Sequence, residues 1–347
     1  MERNSDRCGP GRVVAYRLAM GSRAAVTFLG LLASAILAAC SSSGGDSPAA
    51  PATPDRREGF TFAVIGDYPY VPEDVPKFDR LIEAVNAEGP ALVLHVGDLG
   101  SKVCTDAALN TSLAAIGRFT MPVVYTPGDN EWTDCHESGV EPVQRLSRVR
   151  QLFFPSEQSL GGRTVTVTRQ SPEYPENSRL SFGDVTFVAV HQVGSSNGLG
   201  RTAESDAEAV ARSAAGQAWI RAGFESAVSG GSKGIVVFFQ ADPNFDLYRL
   251  GVRNAHTEFV RTLEREAILY RRPVLLVHGD THVFRVDKAL VASGDGKLIE
   301  NVTRLENFGE REVHWSRVTV DPTGPELFTF SPGIVAGNVV QHPAPPR

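Results

Sequence analysis

The sequence predicts an α/β fold that begins as a parallel sheet and becomes richer in strand towards its end. Three observations predict it. Apolar runs of strand length recur along the chain, and four of them end in Gly-Asp. Helix-length stretches separate the first three, and Asp67, Asp98 and Asp129 follow one another at intervals of 31 residues, the length of a strand–helix unit. No linker interrupts residues 59–335, which therefore read as one domain.

Taken in order, residues 60–65 form the first predicted strand, ending at Gly66-Asp67, and residues 74–88 the first helix. Residues 91–96 are the second strand, before Gly97-Asp98, followed by a helix over 105–119. The third strand, 121–126, leads into Pro127-Gly128-Asp129. The two helical stretches differ in sequence, so the equal spacing is no internal repeat. Strands are next expected over 164–168, 179–182 and 185–190, and a long helix over 203–228. A strongly apolar strand, 234–240, precedes Ala241-Asp242-Pro243-Asn244. A helix over 256–270 and a strand over 273–277 lead to His278-Gly279-Asp280-Thr281-His282. Residues 283–330 alternate like antiparallel strands, most clearly over 314–320 and 326–330, and 336–347 form a Pro-rich tail.

The N-terminus reads as targeting rather than fold. Arg17 and Arg23 precede an apolar run over 24–39, ending Leu37-Ala38-Ala39-Cys40. The run is short for a span of roughly 20 apolar residues. It resembles a bacterial lipoprotein signal (residues 1–39), with Cys40 lipidated and Met20 an alternative start; an uncleaved signal anchor is the other reading. Residues 40–58, rich in Ser, Gly, Pro and Ala, are a flexible linker. The chain is then exported to the periplasmic or cell-surface face of a membrane, with membrane contact only through Cys40. Cys104 and Cys135 remain in the mature domain and suggest one disulfide there, with two free thiols as the alternative. A net charge of -6 disfavours a nucleic-acid partner. Walker A, His-Glu-x-x-His and dinucleotide motifs are absent.

Open α/β sheets bind ligands at the carboxyl ends of their strands. One Gly-Asp there is ordinarily a turn with a helix cap. Four such pairs, one with His282 two residues on, bring carboxylates together that repel one another unless a cation is shared.

Over roughly residues 60–285 the order of these blocks resembles the calcineurin-like metallophosphoesterases. The family's Asp-x-His falls on Asp67-Tyr68-Pro69, and its Gly-Asp on Gly97-Asp98. Its Gly-Asn-His-Asp/Glu falls on Gly128-Asp129-Asn130-Glu131, and its lone His on the turn from Gln240 to Pro243. Its Gly-His-x-His falls on Gly279-Asp280-Thr281-His282. The resemblance implies a four-layer α/β/β/α sandwich and a pair of divalent ions. Asp98 would bridge them, with Asp67 and His282 on one ion and Asp129 and Asp280 on the other. It also implies a small phosphate mono- or diester as substrate, attacked by metal-bound hydroxide.

The departures replace nitrogen donors with oxygen. Pro69 stands for a ligand His, with Tyr70 nearby as an oxygen donor; Gln240 or Asp242 stands for the fourth-block His; His278 is placed to orient a ligand. Oxygen donors suit Mn²⁺ or Mg²⁺, with Ca²⁺, Fe and Zn²⁺ remaining open. Asn130 occupies the place of the leaving-group His but cannot act as an acid, which makes His191 and His136 the candidates; His95, inside a strand, reads as a buried structural His. Two rival readings remain. One is a catalytically inactive, metal-stabilised surface binding protein on the same fold. The other, more remote, is a serine hydrolase using Ser196 in Gly194-Ser195-Ser196-Asn197-Gly198.

Overall fold

The computed structural model describes residues 58–342. The expected signal (1–39), Cys40, the linker up to residue 57 and the last part of the tail (343–347) lie outside the described residues. The chain runs β1 (Phe60–Ile65), α1 (Val75–Glu88), β2 (Leu92–His95), α2 (Asp106–Ile116), β3 (Pro122–Tyr125) and α3 (Pro142–Phe153). Two short strands follow, β4 (Leu160–Gly161) and β5 (Thr168–Arg169), then a hairpin of β6 (Ser178–Phe182) and β7 (Val185–Ala189). Next come α4 (Ala203–Ser229), β8 (Gly234–Phe238), α5 (Phe245–Arg249), α6 (Thr257–Tyr270) and β9 (Val274–His278). The chain closes with β10 (Arg285–Asp287), β11 (Val302–Glu306), β12 (Trp315–Val320) and β13 (Phe328–Gly333).

The strands make two sheets. One is ordered β13-β12-β1-β2-β3-β4 and the other β10-β11-β9-β8-β7-β6-β5. One apolar core, including Phe62, Leu94, Phe187, Phe238 and Leu275, lies between the inner faces. A second packs α1, α2 and α3 on the outside of the first sheet through Phe78, Leu81, Ile116, Val149 and Phe153. A third packs α4 and α6 on the outside of the second sheet through Ile220, Phe224, Val260 and Leu263. The result is the expected α/β/β/α sandwich.

Local sequence explains the elements that carry the site. In α1 the apolar residues Phe78, Leu81, Ile82 and Val85 form one stripe, and Gly89 ends the helix in a left-handed cap. β7, β8 and β9 are buried along their whole length, as parallel strands covered on both faces must be. Register then aligns the site. Ile65 pairs with His95 and His95 with Tyr125, so three Gly-Asp turns emerge side by side at one sheet edge.

Three readings of the sequence need correction. The stretch 283–330 is not wholly antiparallel, because β11 lies parallel to β9, with Val302 opposite Val274 and Glu306 opposite His278. The strand expected over 164–168 is only a bridge from Thr166 to Gln158 and the short β5. Helix α3 went unread, although Leu146, Val149 and Phe153 repeat at helical spacing and are buried. Within the segment read as tail, Asn338 is buried and donates to the Lys77 and Val313 carbonyls.

Candidate metal centre

Four carboxylates converge where the two sheets bring their strand ends together. Asp67 and Asp98 follow β1 and β2, and each takes a left-handed backbone conformation, with φ of 62° and 54°. Asp280, after β9, does the same with φ 79°. Asp tolerates this region better than most residues, and such strain is commonly kept at functional sites. The Asp280 N–H donates to Asp67 Oδ1 at 3.0 Å, joining the turns of the two sheets. Glycines make the approach possible. A Cβ on Gly279 would lie 2.0 Å from Asp67 Oδ2, and one on Gly128 would lie 1.9 Å from Asp98 Oδ1.

Asp98 is surrounded by donors. Its Oδ2 accepts from Tyr70 Oη at 2.6 Å, Asn130 Nδ2 at 3.0 Å and Gln240 Nε2 at 3.4 Å. Its Oδ1 accepts from the Asn130 N–H at 3.2 Å. Gln240 Nε2 also donates to Asp280 Oδ1 at 3.1 Å, while its Oε1 accepts from the Gly194 N–H at 2.6 Å. Gln240 therefore presents its nitrogen to the carboxylates. Serving as an oxygen ligand would require the amide to turn over and give up Gly194. Asp129 Oδ2 and Asp280 Oδ1 both crowd Gly194, where an added Cβ would lie 2.9 and 2.4 Å from them, and His282 Nε2 stands 3.8 Å from Asp67 Oδ1.

Burial, followed by repulsion among neighbours, raises the proton affinity of this cluster. Asp67 and Asp98 are pushed well above the ordinary carboxyl range, and Asp129 is raised. Burial, then the charge of Asp129, pushes Asp280 up to about 7. Burial holds the His282 imidazole below its ordinary value.

The donor chemistry fits an oxygen-seeking cation. Several buried carboxylates face one another, and Asp67 Oδ2 is buried without a hydrogen-bond partner. The coordination shell is not preassembled: among the described residues, no group of three or more His, Cys, Asp or Glu is placed to hold an ion. Tyr70, Asn130 and Gln240 also occupy the oxygens of Asp98.

The other predicted residues are placed as follows. The Asp242 N–H donates to Asp280 Oδ2 at 2.8 Å, while its carboxylate accepts from the Asn244 N–H at 3.0 Å and so serves its own turn. His278 stacks on Phe239, a residue of the outer core, and its Nδ1 meets the Gly279 carbonyl. His191 is buried, and its Nδ1 meets Glu176 Oε1 at 2.8 Å, not a site carboxylate. His136 is exposed in the 133–138 turn, bonded to the Thr133 carbonyl. Residues Ser195 and Ser196 adopt left-handed conformations, and the next long helix begins only at Ala203, so no helix follows Ser196 directly as a nucleophile elbow requires. The expected Cys104–Cys135 disulfide is present.

Sequence reasoning gave no role to Glu131. It is fully buried, and its carboxylate accepts from the Leu99 N–H at 2.8 Å, Tyr125 Oη at 3.0 Å and the Gly128 N–H at 3.0 Å. It thus braces the loops that carry Asp98 and Asp129. Its signal was its place as the last residue of the Gly-Asp-Asn-Glu block.

With this geometry in place, the comparisons with known proteins are consistent. The model of the calcineurin-like phosphoesterase family matches residues 60–284, well over half of the chain. The chain belongs to that family. Its members are phosphoester hydrolases that typically use two metal ions. No curated protein matches the sequence.

Among solved structures, a purple acid phosphatase from yellow lupin seeds superposes with a TM-score of 0.53 at 11% identity, over 82% of this chain and 53% of its own. PhoD gives 0.48 at 13%, over 82% and 70%. A 5'-nucleotidase from Candida albicans gives 0.42 at 11%, over 78% and 50%. This chain thus spans about half the length of the lupin and Candida proteins. At these identities the likeness concerns the fold alone.

Proposed function

We propose that this chain is a metal-dependent phosphoesterase that hydrolyses a small phosphate mono- or diester. The observation that carries the reading is the gathering of Asp67, Asp98, Asp129 and Asp280 at one place, with Asp67 Oδ2 buried and unpartnered. These four and His282 would hold two divalent ions, Mn²⁺ or Mg²⁺ by donor type. Bound there, the ions supply Lewis-acid polarisation of the phosphoryl oxygens and lower the pKa of water.

The chain's own residues orient the substrate. Tyr70 and Asn130 are partly exposed beside Asp98, and their O–H and N–H groups are suited to phosphate oxygens. Burial, and then the charge of Asp98, raises the Tyr70 hydroxyl above its ordinary range, so it stays a donor. Asn130 has no proton to transfer, and His191 is spoken for by Glu176. The leaving group therefore departs with little help from a protein acid. We place the protein outside the cytoplasm as a lipoprotein anchored by Cys40, with no nucleic-acid partner.

One observation favours a second reading, an inactive binding protein on the same fold. Neutral donors already satisfy Asp98, and no ion shell is preassembled. One experiment separates the two. Residues 41–347 are stripped of metal, reloaded with Mn²⁺, Mg²⁺, Ca²⁺ or Zn²⁺, and assayed for bound metal and for turnover of aryl phosphate mono- and diesters. The enzyme reading expects turnover that Asp98→Asn abolishes. Metal binding without turnover for every ion would leave the binding-protein reading.

A further inference from the structure

Where α3 ends, between the turn that follows it and the segment joining β5 to β6, lies an open cleft of about 640 Å³. That is the size of a small-molecule site. Arg150, Phe154, Pro155, Arg169, Pro172 and Pro175 line it, so apolar rings and two guanidinium groups share its wall. The cleft backs onto residues that brace the metal centre. Phe154 stacks on Tyr125, with ring centroids 5.6 Å apart, and Tyr125 Oη donates to Glu131. Arg150 donates to Glu176, the carboxylate that meets His191.

The two arginines differ. Arg150 gives its charge to Glu176, through Nε at 2.9 Å and Nη2 at 2.6 Å. Arg169 has only carbonyls: its Nε donates to that of Ser156 at 3.1 Å and its Nη2 to that of Gln158 at 2.9 Å. Among the described residues no carboxylate bonds to it, and Glu176 and Glu157 act on it only from a distance. Burial pulls the partly buried guanidinium down to about 10 from 12.5, so it is still a cation at neutral pH. Its Nη1 makes no hydrogen bond among the described residues and is open to solvent. A cation drawn partly out of water without a counter-ion is uncommon and calls for an anion. The other free groups of the wall are donors too. Ser156 and Ser171 each accept from a backbone N–H, of Gln158 and Tyr174, which leaves their hydroxyl hydrogens to give. Gln151 uses its amide oxygen for Arg148 and keeps its NH₂ group.

We propose that this cleft binds a small monocarboxylate with an apolar body, its carboxylate received by Arg169 Nη1. One negative charge is specified because Arg150 is already neutralised by Glu176, and because Glu157, on the exposed rim, repels a second. The apolar body is specified by Pro155, Pro172 and Pro175, which offer rings and no N–H. The Ser156 and Gln158 carbonyls hold the guanidinium in place before a ligand arrives, so little side-chain freedom is lost on binding. Binding does not depend on the phosphoesterase reading and is measured without turnover.

The probes are 3-phenylpropionate and its neutral amide, 3-phenylpropanamide, titrated by calorimetry into residues 41–347. Saturable binding of the carboxylate is expected, with the amide about tenfold weaker or more. In Arg169→Met, which keeps a long side chain but removes the charge, the two affinities should fall within about threefold of each other. Pro172→Glu adds a negative charge to an exposed residue of the wall and should weaken the carboxylate about fivefold while sparing the amide. If Arg169→Met fails to fold, Pro172→Glu decides. The proposal is overturned if the carboxylate does not saturate, if the amide binds the unmodified chain equally well, or if Arg169→Met keeps the preference, which would place the carboxylate elsewhere. An unchanged carboxylate affinity in Pro172→Glu would overturn it too.

Discussion

Gly279 and Gly128 decide how closely two acidic side chains approach their neighbours. A methyl group on Gly279 would occupy the space of Asp67 Oδ2, so Gly279→Ala must displace either the carboxylate or the turn. The expected result is a loss of turnover of about a hundredfold or more, as follows when a reacting group is misplaced by about 1 Å. Steady-state kinetics of the reloaded enzyme check it. A second residue-scale expectation concerns acid. Burial, and then the charge of Arg212, holds His191 down to about 4 from 6.5. Burial alone would raise Glu176, but bonds from His191 and Arg150 bring it down to about 2 from 4.5.

Both folded values lie below the unfolded ones, so the unfolded chain takes up protons first on acidification. The stability these groups contribute is complete at neutral pH. It declines as pH falls from 6.5 towards 4 for His191, and from 4.5 towards 2 for Glu176. Melting temperature followed from pH 7 downwards should fall, and His191→Gln should flatten the upper part of that fall. Single residues of the site were legible in the sequence because Gly-Asp at a strand end has few alternatives. The side-chain orientation of Gln240 was not, since Gly194, which fixes it, lies 46 residues away.

Among elements, the βαβαβ opening was legible because its contacts are local and its strands are parallel and in register. β11 was misread because its partner β9 is chosen by packing across the intervening β10, which pattern alone does not reveal. Helix α3 was legible and overlooked. The Cys104–Cys135 bridge joins the loop after β2 to the short turn after β3, with Cα atoms 5.4 Å apart. Closing a loop of this length stabilises a fold by about 3–4 kcal/mol in the chain-entropy account. The double variant Cys104→Ser, Cys135→Ser should lower the urea midpoint accordingly. An unchanged midpoint would mean that the bridge adds nothing to the loops it ties.

For the whole molecule, the sandwich supplies a rigid frame and leaves specificity to loops. Among the described residues no helix is long and apolar enough to cross a membrane. A site without a ready protein acid should be sensitive to its substrate. Across aryl phosphates, kcat/KM is expected to rise steeply as the leaving phenol becomes more acidic, with alkyl phosphates turned over poorly. A flat dependence would mean that an acid has been missed.

The bond from Tyr70 to Asp98 has an optical consequence. An ion drawn to Asp98 competes with the phenol for the same oxygen, so loading the site alters the surroundings of that one chromophore. Adding Mg²⁺ to the chelator-treated chain should therefore shift its tyrosine absorbance, and Tyr70→Phe should silence the shift. The occupancy of the centre would then be readable by ultraviolet difference spectroscopy, before any substrate is known.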